Sequence, residues 1–320
     1  MVEQGFLAAA NSQPHNLPIR VYGSVDESQD IVSLYRDAIA DGALAVAGPL
    51  TRDGVSMLAS MSSIDVPTLA LNVSQNHGGH NLYFFSLSAE AEARQVAQLA
   101  AVAQLQSASI ISTNSSLSQR ISEAFAEEWV ASGHSSPSVI IFNGDPSVLS
   151  GIPVNKGHMV FLATNTAVAR MVRPYLDISL PVYATSQVFN GNTDTLTNFD
   201  LNNVRFVDMP WLLQPDHAAV MIYLRPINAQ TADIQRLYAM GIDAFRLLQV
   251  ILSSDPASSL PLDGVTGKIY LSGRQQFQRE AVPAMFNKGR GLTPGQLATM
   301  IAAEQAAATS EAAAPTTTIP

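Results

Sequence analysis

The chain has 320 residues, 47% hydrophobic and only 13% charged, with a formal net charge of −9 and no cysteine. That much apolar material at low charge density excludes a disordered chain, and a length beyond roughly 100–150 residues implies two cores. The negative balance, without Lys/Arg clusters, excludes nucleic acid and anionic membrane faces as partners, and the missing cysteines exclude disulfides, thiol nucleophiles and thiolate-bound zinc.

From the N-terminus onward, short apolar runs rich in β-branched residues alternate with helical periodicity, the pattern of parallel strands joined by crossover helices. The opening Met1–Leu7 has no positive n-region or apolar h-region, and no apolar run approaches about 18 residues, so a soluble chain with any targeting segment already removed is expected. Strands are predicted at Ile19–Tyr22, Ala43–Ala47, Thr68–Leu71, Ala108–Ser112, Val139–Phe142, Met159–Ala163, Val182–Thr185 and Val204–Val207. Between the first two, Ile31, Leu34, Tyr35 and Ala38 share a helix face, with Ser28 as N-cap and Gly42 as the left-handed stop. A second helix is expected to start at Thr51 and to bury Val55, Leu58 and Ala59. Later helices carry Val96, Leu99, Ala100 and Ala103, and then Ile121, Phe125 and Trp129.

The longest helix is predicted from Thr231 to Leu252, with Tyr238 and Phe245 buried against a sheet and Gly241 at a close helix contact. Beyond it, Gly264–Leu271 reads as a turn entering a strand, and Gln275–Val282 as its hairpin partner. The Ala/Thr/Glu/Pro-rich stretch 293–320 is expected to be a mobile tail that opens with a short helix.

The search for catalytic chemistry is negative. His15, His77, His80, His134, His158 and His217 are scattered, and the loop His77-Gly78-Gly79-His80 has only amide neighbours, so neither a metal nor another cofactor is expected. There is no G-x-S-x-G elbow, and Gly264-Val265-Thr266-Gly267-Lys268 lacks the spacing and the following helix of a phosphate loop. Glu127 and Glu128 are consecutive on a helix and point about 100° apart, which fits a solvated face. No catalytic residue is assigned.

Binding is expected instead at the carboxyl ends of the strands. Thr51, Arg52 and Asp53 follow the second strand and open a helix whose N–H groups suit a carboxylate, or are a plain helix cap. Asn72 and Ser74, and Thr113, Asn114 and Ser115, form comparable polar loops, and together these residues are the candidate lining of an inter-lobe cleft. Trp211, Tyr223 and Arg225 are candidates for partner contacts or for hinge packing.

Several segments, Gly48-Pro49-Leu50, Leu69-Ala70-Leu71-Asn72, Phe85-Ser86-Leu87-Ser88, Met209-Pro210-Trp211-Leu212, Asp263-Gly264-Val265-Thr266-Gly267 and above all Arg236–Phe245, carry a family resemblance. Nearly the whole chain to about Gly289 resembles the C-terminal domain of the LpoA-type penicillin-binding protein activators, a type I periplasmic binding protein fold. The resemblance implies an α/β protein of two Rossmann-like lobes with parallel sheets and three crossovers, near Ser86–Ser88, Val207–Pro210 and Asp255–Gly264. Lobe 1 would hold residues 2–86 and 209–255, and lobe 2 residues 87–207 and 264–290. The family's domain opens with a strand before the helix that contains Val2–Phe6, so the first sheet is expected to be one strand short. Functionally, the resemblance implies a periplasmic regulator, outer-membrane anchored through an N-terminal lipid, that binds a bifunctional class A penicillin-binding protein and stimulates peptidoglycan synthesis. The alternative is a periplasmic solute receptor that closes on an amino acid or peptide between its lobes. An enzyme has no constellation behind it.

Overall fold

The computed structural model describes residues 1–12, 17–74, 79–193, 195–226, 231–253 and 255–312. The chain forms two bodies, one of residues 1–89 with 209–281 and the other of 90–208 with 282 onward. In chain order the first body begins with α1 (Val2–Ser12), α2 (Glu27–Ala40), β1 (Val46–Ala47), α3 (Arg52–Ala59), β2 (Thr68–Ala70) and β3 (Leu82–Phe85). The second body takes α4 (Ala89–Val102), β4 (Ser107–Ser112), α5 (Ser116–Ala131), β5 (Ser138–Ile141), β6 (His158–Leu162), α6 (Thr166–Val172), β7 (Val182–Ala184) and β8 (Val204–Asp208). The chain then returns with α7 (Pro210–Leu213), α8 (Ala218–Met221), α9 (Ala232–Leu252), β9 (Leu262–Asp263), β10 (Lys268–Ser272) and β11 (Gln276–Glu280). The second body ends with β12 (Val282–Asn287), β13 (Arg290–Leu292) and α10 (Pro294–Ala312).

The first sheet has the order β1-β2-β3-β11-β10-β9. β1, β2, β3 and β11 run parallel, and β10 is antiparallel to both of its neighbours. The hairpin β10–β11 therefore belongs to the first body, and the third crossover falls at Ala281–Val282 rather than within 255–264. The reason is long-range: Gln276 and Phe277 register against Phe84 and Phe85, and Ile269 and Phe277 join Leu69, Phe85 and Leu247 in one core. Hydropathy marks such a strand as buried without naming the neighbour that buries it.

Ile19–Tyr22 is not a strand. A strand needs a neighbour for its backbone groups, and this segment has none among the described residues; Arg20 and Tyr22 instead hold the Asp41 carboxylate at the end of α2. β1 consequently lies at the sheet edge, leaving Leu44 70% exposed. The cap of α2 also differs from expectation: the Asp26 carboxylate accepts from both the backbone N–H and the hydroxyl of Ser28, so the charged residue two positions earlier starts the helix. Gly42 takes the left-handed stop at φ +85°.

α9 is buried on two sides. Met240, Ala244 and Leu247 face the sheet, whereas Tyr238, Ile242 and Phe245 pack with Ala9, Trp211 and Val265. Tyr238 and Phe245 are thus buried, but against α1 and α7 and not against the sheet. Phe6 meets Phe245 edge-on at 5.2 Å. Gly5 and Gly241 bring the helices into backbone contact: a Cβ on Gly241 would lie 1.9 Å from the Val2 carbonyl oxygen, and one on Gly5 1.9 Å from that of Tyr238.

The second sheet has the order β13-β12-β8-β7-β6-β4-β5. Its strands β8, β7, β6, β4 and β5 are parallel, with β12 and β13 antiparallel at one end. Phe125 stacks on Phe161 at 4.2 Å and on Trp129 at 5.7 Å, while Phe189, Phe206 and Phe286 form a second aromatic group. Residues 294–312, expected as mostly tail, form a helix because Ala, Gln, Leu, Met and Glu dominate and Thr293 caps its start. Residues 313–320 of that stretch lie outside the described residues.

Candidate ligand loops and partner contacts

The loop after β1 is built around an internal carboxylate. Thr51 is the N-cap of α3, and its hydroxyl oxygen accepts from the Gly54 N–H at 3.1 Å. The N–H groups of Leu50 and Thr51 point to one place, and Glu27 fills it. Leu50 N donates at 3.1 Å to the Glu27 carboxylate, Thr51 N at 2.6 Å and the Thr51 hydroxyl at 2.6 Å. A helix N-terminus favours an anion through its free N–H groups and its dipole, and here the anion comes from the first turn of α2. Gly54 makes room for it, since a Cβ there would sit 2.8 Å from the Glu27 Cβ. Arg52 and Asp53 are exposed on the same turn. Asn72 closes the loop, donating to the Leu50 carbonyl at 2.9 Å and accepting from Val73 N at 3.0 Å, with Ser74 two residues on.

The corresponding loop of the second body, after β4, also turns its polar groups inward. Ser115 caps α5 by accepting from Ser118 N at 3.2 Å, and the Thr113 hydroxyl lies 3.2 Å from that of Ser115. Thr113 N donates to the Ser118 hydroxyl at 2.7 Å, and Asn114 stands exposed between them. The structure thus brings Thr51, Arg52, Asp53, Asn72 and Ser74 together in the first body, and Thr113, Asn114 and Ser115 together in the second. In each loop hydroxyls serve as caps, the plainer of the two readings that such residues allow.

Trp211 and Tyr223 are buried in the first body's core. Trp211 packs on Tyr238 with ring centroids 5.5 Å apart, and its backbone N–H donates to the Val265 carbonyl at 2.9 Å. Only Arg225 of the three is exposed: its guanidinium lies 3.9 Å from the Trp211 ring centroid and donates to Gln235 at 3.3 Å. The trio therefore forms a packed corner after the second crossover. Nearby, Asp243 of α9 is fully buried and accepts from Val265 N at 3.1 Å, Thr266 N at 2.7 Å and the Thr266 hydroxyl at 2.6 Å. Burial pushes its carboxyl up, while Arg246 at 3.2 Å and these donors pull the other way.

Among the described residues no group of three or more His, Asp or Glu side chains could hold a metal, and no helix is long and apolar enough to cross a membrane. His15 and His77 lie outside the described residues. His158 is buried between the Ser107 and Ser109 hydroxyls, at 2.7 and 3.0 Å from its two ring nitrogens, and desolvation pushes its pKa down. Sequence reasoning missed Glu27; the one local signal was a glycine, Gly54, early in a helix.

The comparisons agree with this architecture. The penicillin-binding protein activator LpoA of Photobacterium profundum is 23% identical over 341 residues, covering 92% of this chain and 54% of that protein. The LpoA of Edwardsiella piscicida is 25% identical over 320 residues, covering 85% of this chain and 45% of that one. This chain accordingly spans about half the length of the curated relatives it matches. Among solved structures, the "LpoA (YraM) C-domain from Haemophilus influenzae, a regulator of PBP1A" superposes with a TM-score of 0.77 at 22% identity, covering 91% of this chain and 93% of that one. A "putative branched-chain amino acid ABC transporter" from Chromobacterium violaceum does so with a TM-score of 0.76 at 36% identity, covering 89% and 93%. These likenesses establish a two-sheet α/β fold of the periplasmic binding protein kind. The profile of the family described as "LppC putative lipoprotein" matches residues 1–153 and 149–289, so the chain belongs to that family.

Proposed function

We propose that this chain is a non-enzymatic regulatory domain that binds and stimulates a bifunctional class A penicillin-binding protein during peptidoglycan synthesis. Its place is the periplasm, as part of an outer-membrane lipoprotein. Support comes from its family and from relatives named as activators of penicillin-binding proteins. The observation that carries the reading within this chain is Glu27. A receptor for a zwitterion needs free N–H groups at a helix start to take the ligand carboxylate, and at α3 Glu27 already uses those of Leu50 and Thr51. Regulation by contact has no such requirement.

The second reading is a solute receptor for an amino acid or peptide, favoured by the 36% identity to the Chromobacterium violaceum protein. Glycan polymerisation by a purified class A penicillin-binding protein from the same organism, with and without this chain, tests the first reading. A rise in polymerisation rate and co-purification of the two proteins are expected. No binding and no stimulation would refute it, as would hydrolysis or transfer of a cell-wall substrate by the chain alone. A thermal-shift screen with amino acids and muropeptides tests the second reading, because a tight ligand raises stability by mass action.

A further inference from the structure

Asp243 lies near the middle of α9 and is fully buried, with donors gathered around its carboxylate. Three of them come from the turn between β9 and β10: Val265 N at 3.1 Å, Thr266 N at 2.7 Å and the Thr266 hydroxyl at 2.6 Å. Arg246, on the same helix, adds another at 3.2 Å. A carboxylate has about four acceptor positions, so these donors occupy this one fully. The turn is shaped for the contact. A Cβ on Gly264 would lie 2.6 Å from the Asp243 Oδ2 atom, and Gly264 N closes the turn on the Gly267 carbonyl at 2.9 Å. A turn with glycine at each end has little stiffness of its own; the carboxylate, on a helix packed on two sides, supplies it.

The same two residues, Val265 and Thr266, also hold the chain where it enters and leaves the first body. The second crossover ends at Met209, and two residues later Trp211 N donates to the Val265 carbonyl at 2.9 Å. The third crossover follows Ala281, and just before it the Arg279 guanidinium donates to the Thr266 carbonyl at 3.1 Å. Gly267, at φ +141°, approaches the next residue so closely that a Cβ would stand 2.3 Å from the Glu280 carbonyl oxygen. Val265 is buried in one cluster with Met209 and Trp211, and Leu87 of the first crossover packs against that cluster. The carbonyls of two consecutive residues thus hold the roots of two crossovers, while the N–H groups of those residues go to Asp243.

We propose that Asp243 is a positioning residue for these crossovers: through Val265 and Thr266 it ties the roots of the second and the third together, so that the two loosen and stiffen as one. Hydrogen bonds in such a buried network polarise one another, and loss of one weakens the rest. A change at either root therefore reaches the other across the turn. This coupling is independent of what the chain binds.

Amide hydrogen exchange on the full chain tests the coupling, because local opening and loss of the whole body's stability leave different patterns. In Asp243→Asn, the amides of Trp211 and of residues 279–281 are expected to exchange about tenfold faster relative to those of β2, which report the stability of the first body as a whole. Arg279→Met removes the link at the third crossover and should still speed the Trp211 amide several-fold. Combined with Asp243→Asn, it should add nothing further at Trp211. Thr266→Val removes one hydroxyl bond and keeps the side-chain shape, so it should act on both roots in the same direction, and with Arg279→Met it decides the matter if Asp243→Asn does not fold. Equal acceleration of β2, Trp211 and residues 279–281 would make Asp243 a plain stabiliser of the body and overturn the proposal, as would a Trp211 amide indifferent to Arg279→Met.

Discussion

Gly241→Ala sets two effects of opposite sign against each other. In a helix interior, alanine is favoured over glycine by about 1 kcal/mol, so local propensity alone predicts a more stable protein. The packing predicts the reverse. A Cβ at residue 241 would meet the Val2 carbonyl oxygen at 1.9 Å and the Phe6 nitrogen at 2.7 Å. A close carbon–oxygen contact is about 3.3 Å, so α1 and α9 must separate by roughly 1.4 Å. Both atoms it meets are backbone, and no rotamer change relieves the clash. Separation also loosens Phe6 from Phe245 and Ala9 from the core beneath it. Overpacking costs about 1–3 kcal/mol and occasionally more, and a backbone clash belongs at the upper end. Net destabilisation of about 2 kcal/mol remains. The two tryptophans make the assay selective, since Trp211 reports the first body and Trp129 the second. In urea, the Trp211 transition should fall by roughly 0.7–1 M while the Trp129 transition stays in place, and α1 amides should exchange faster. A Trp211 midpoint that is unchanged or raised would refute the helix contact.

Three further outcomes are expected. Asp243→Ala leaves Val265 N, the Thr266 donors and Arg246 without their buried acceptor and should cost about 3–5 kcal/mol, read from the Trp211 transition; a loss below about 1 kcal/mol would contradict it. Glu27→Ala frees the N–H groups at the start of α3 and should cost about 1 kcal/mol, again in the Trp211 transition, and a cost of zero would show that Glu27 does not hold the loop. His158 has a folded pKa below its unfolded value of 6.5, so the unfolded chain binds its proton first as pH falls. Its contribution is complete above pH 6.5 and is lost below it, so the Trp129 midpoint should decline between pH 7 and 5. The decline should flatten in His158→Gln, and a profile identical in the two proteins would refute the assignment.

Much of the local structure was legible in the residues. Thr51 announced a helix start because a cap acts within three residues, whereas Ser115, read only as part of a polar loop, caps α5. The apolar runs announced most of the strands, and the motif Arg236–Phe245, with Gly241 inside it, announced a tightly packed helix. The resemblance of those segments to an activator family supplied the fold class and the functional expectation. Tertiary structure decided what depends on partners distant in the chain. Periodicity finds a buried face but not its neighbour, so Tyr238 and Phe245 were assigned to the sheet when they pack on α1 and α7. An apolar run becomes a strand only beside another strand, which Ile19–Tyr22 lacks and β11 finds in β3. A carboxylate reaching from residue 27 to residues 50 and 51 leaves no local trace, since capping by a distant side chain requires only that folding bring the two together.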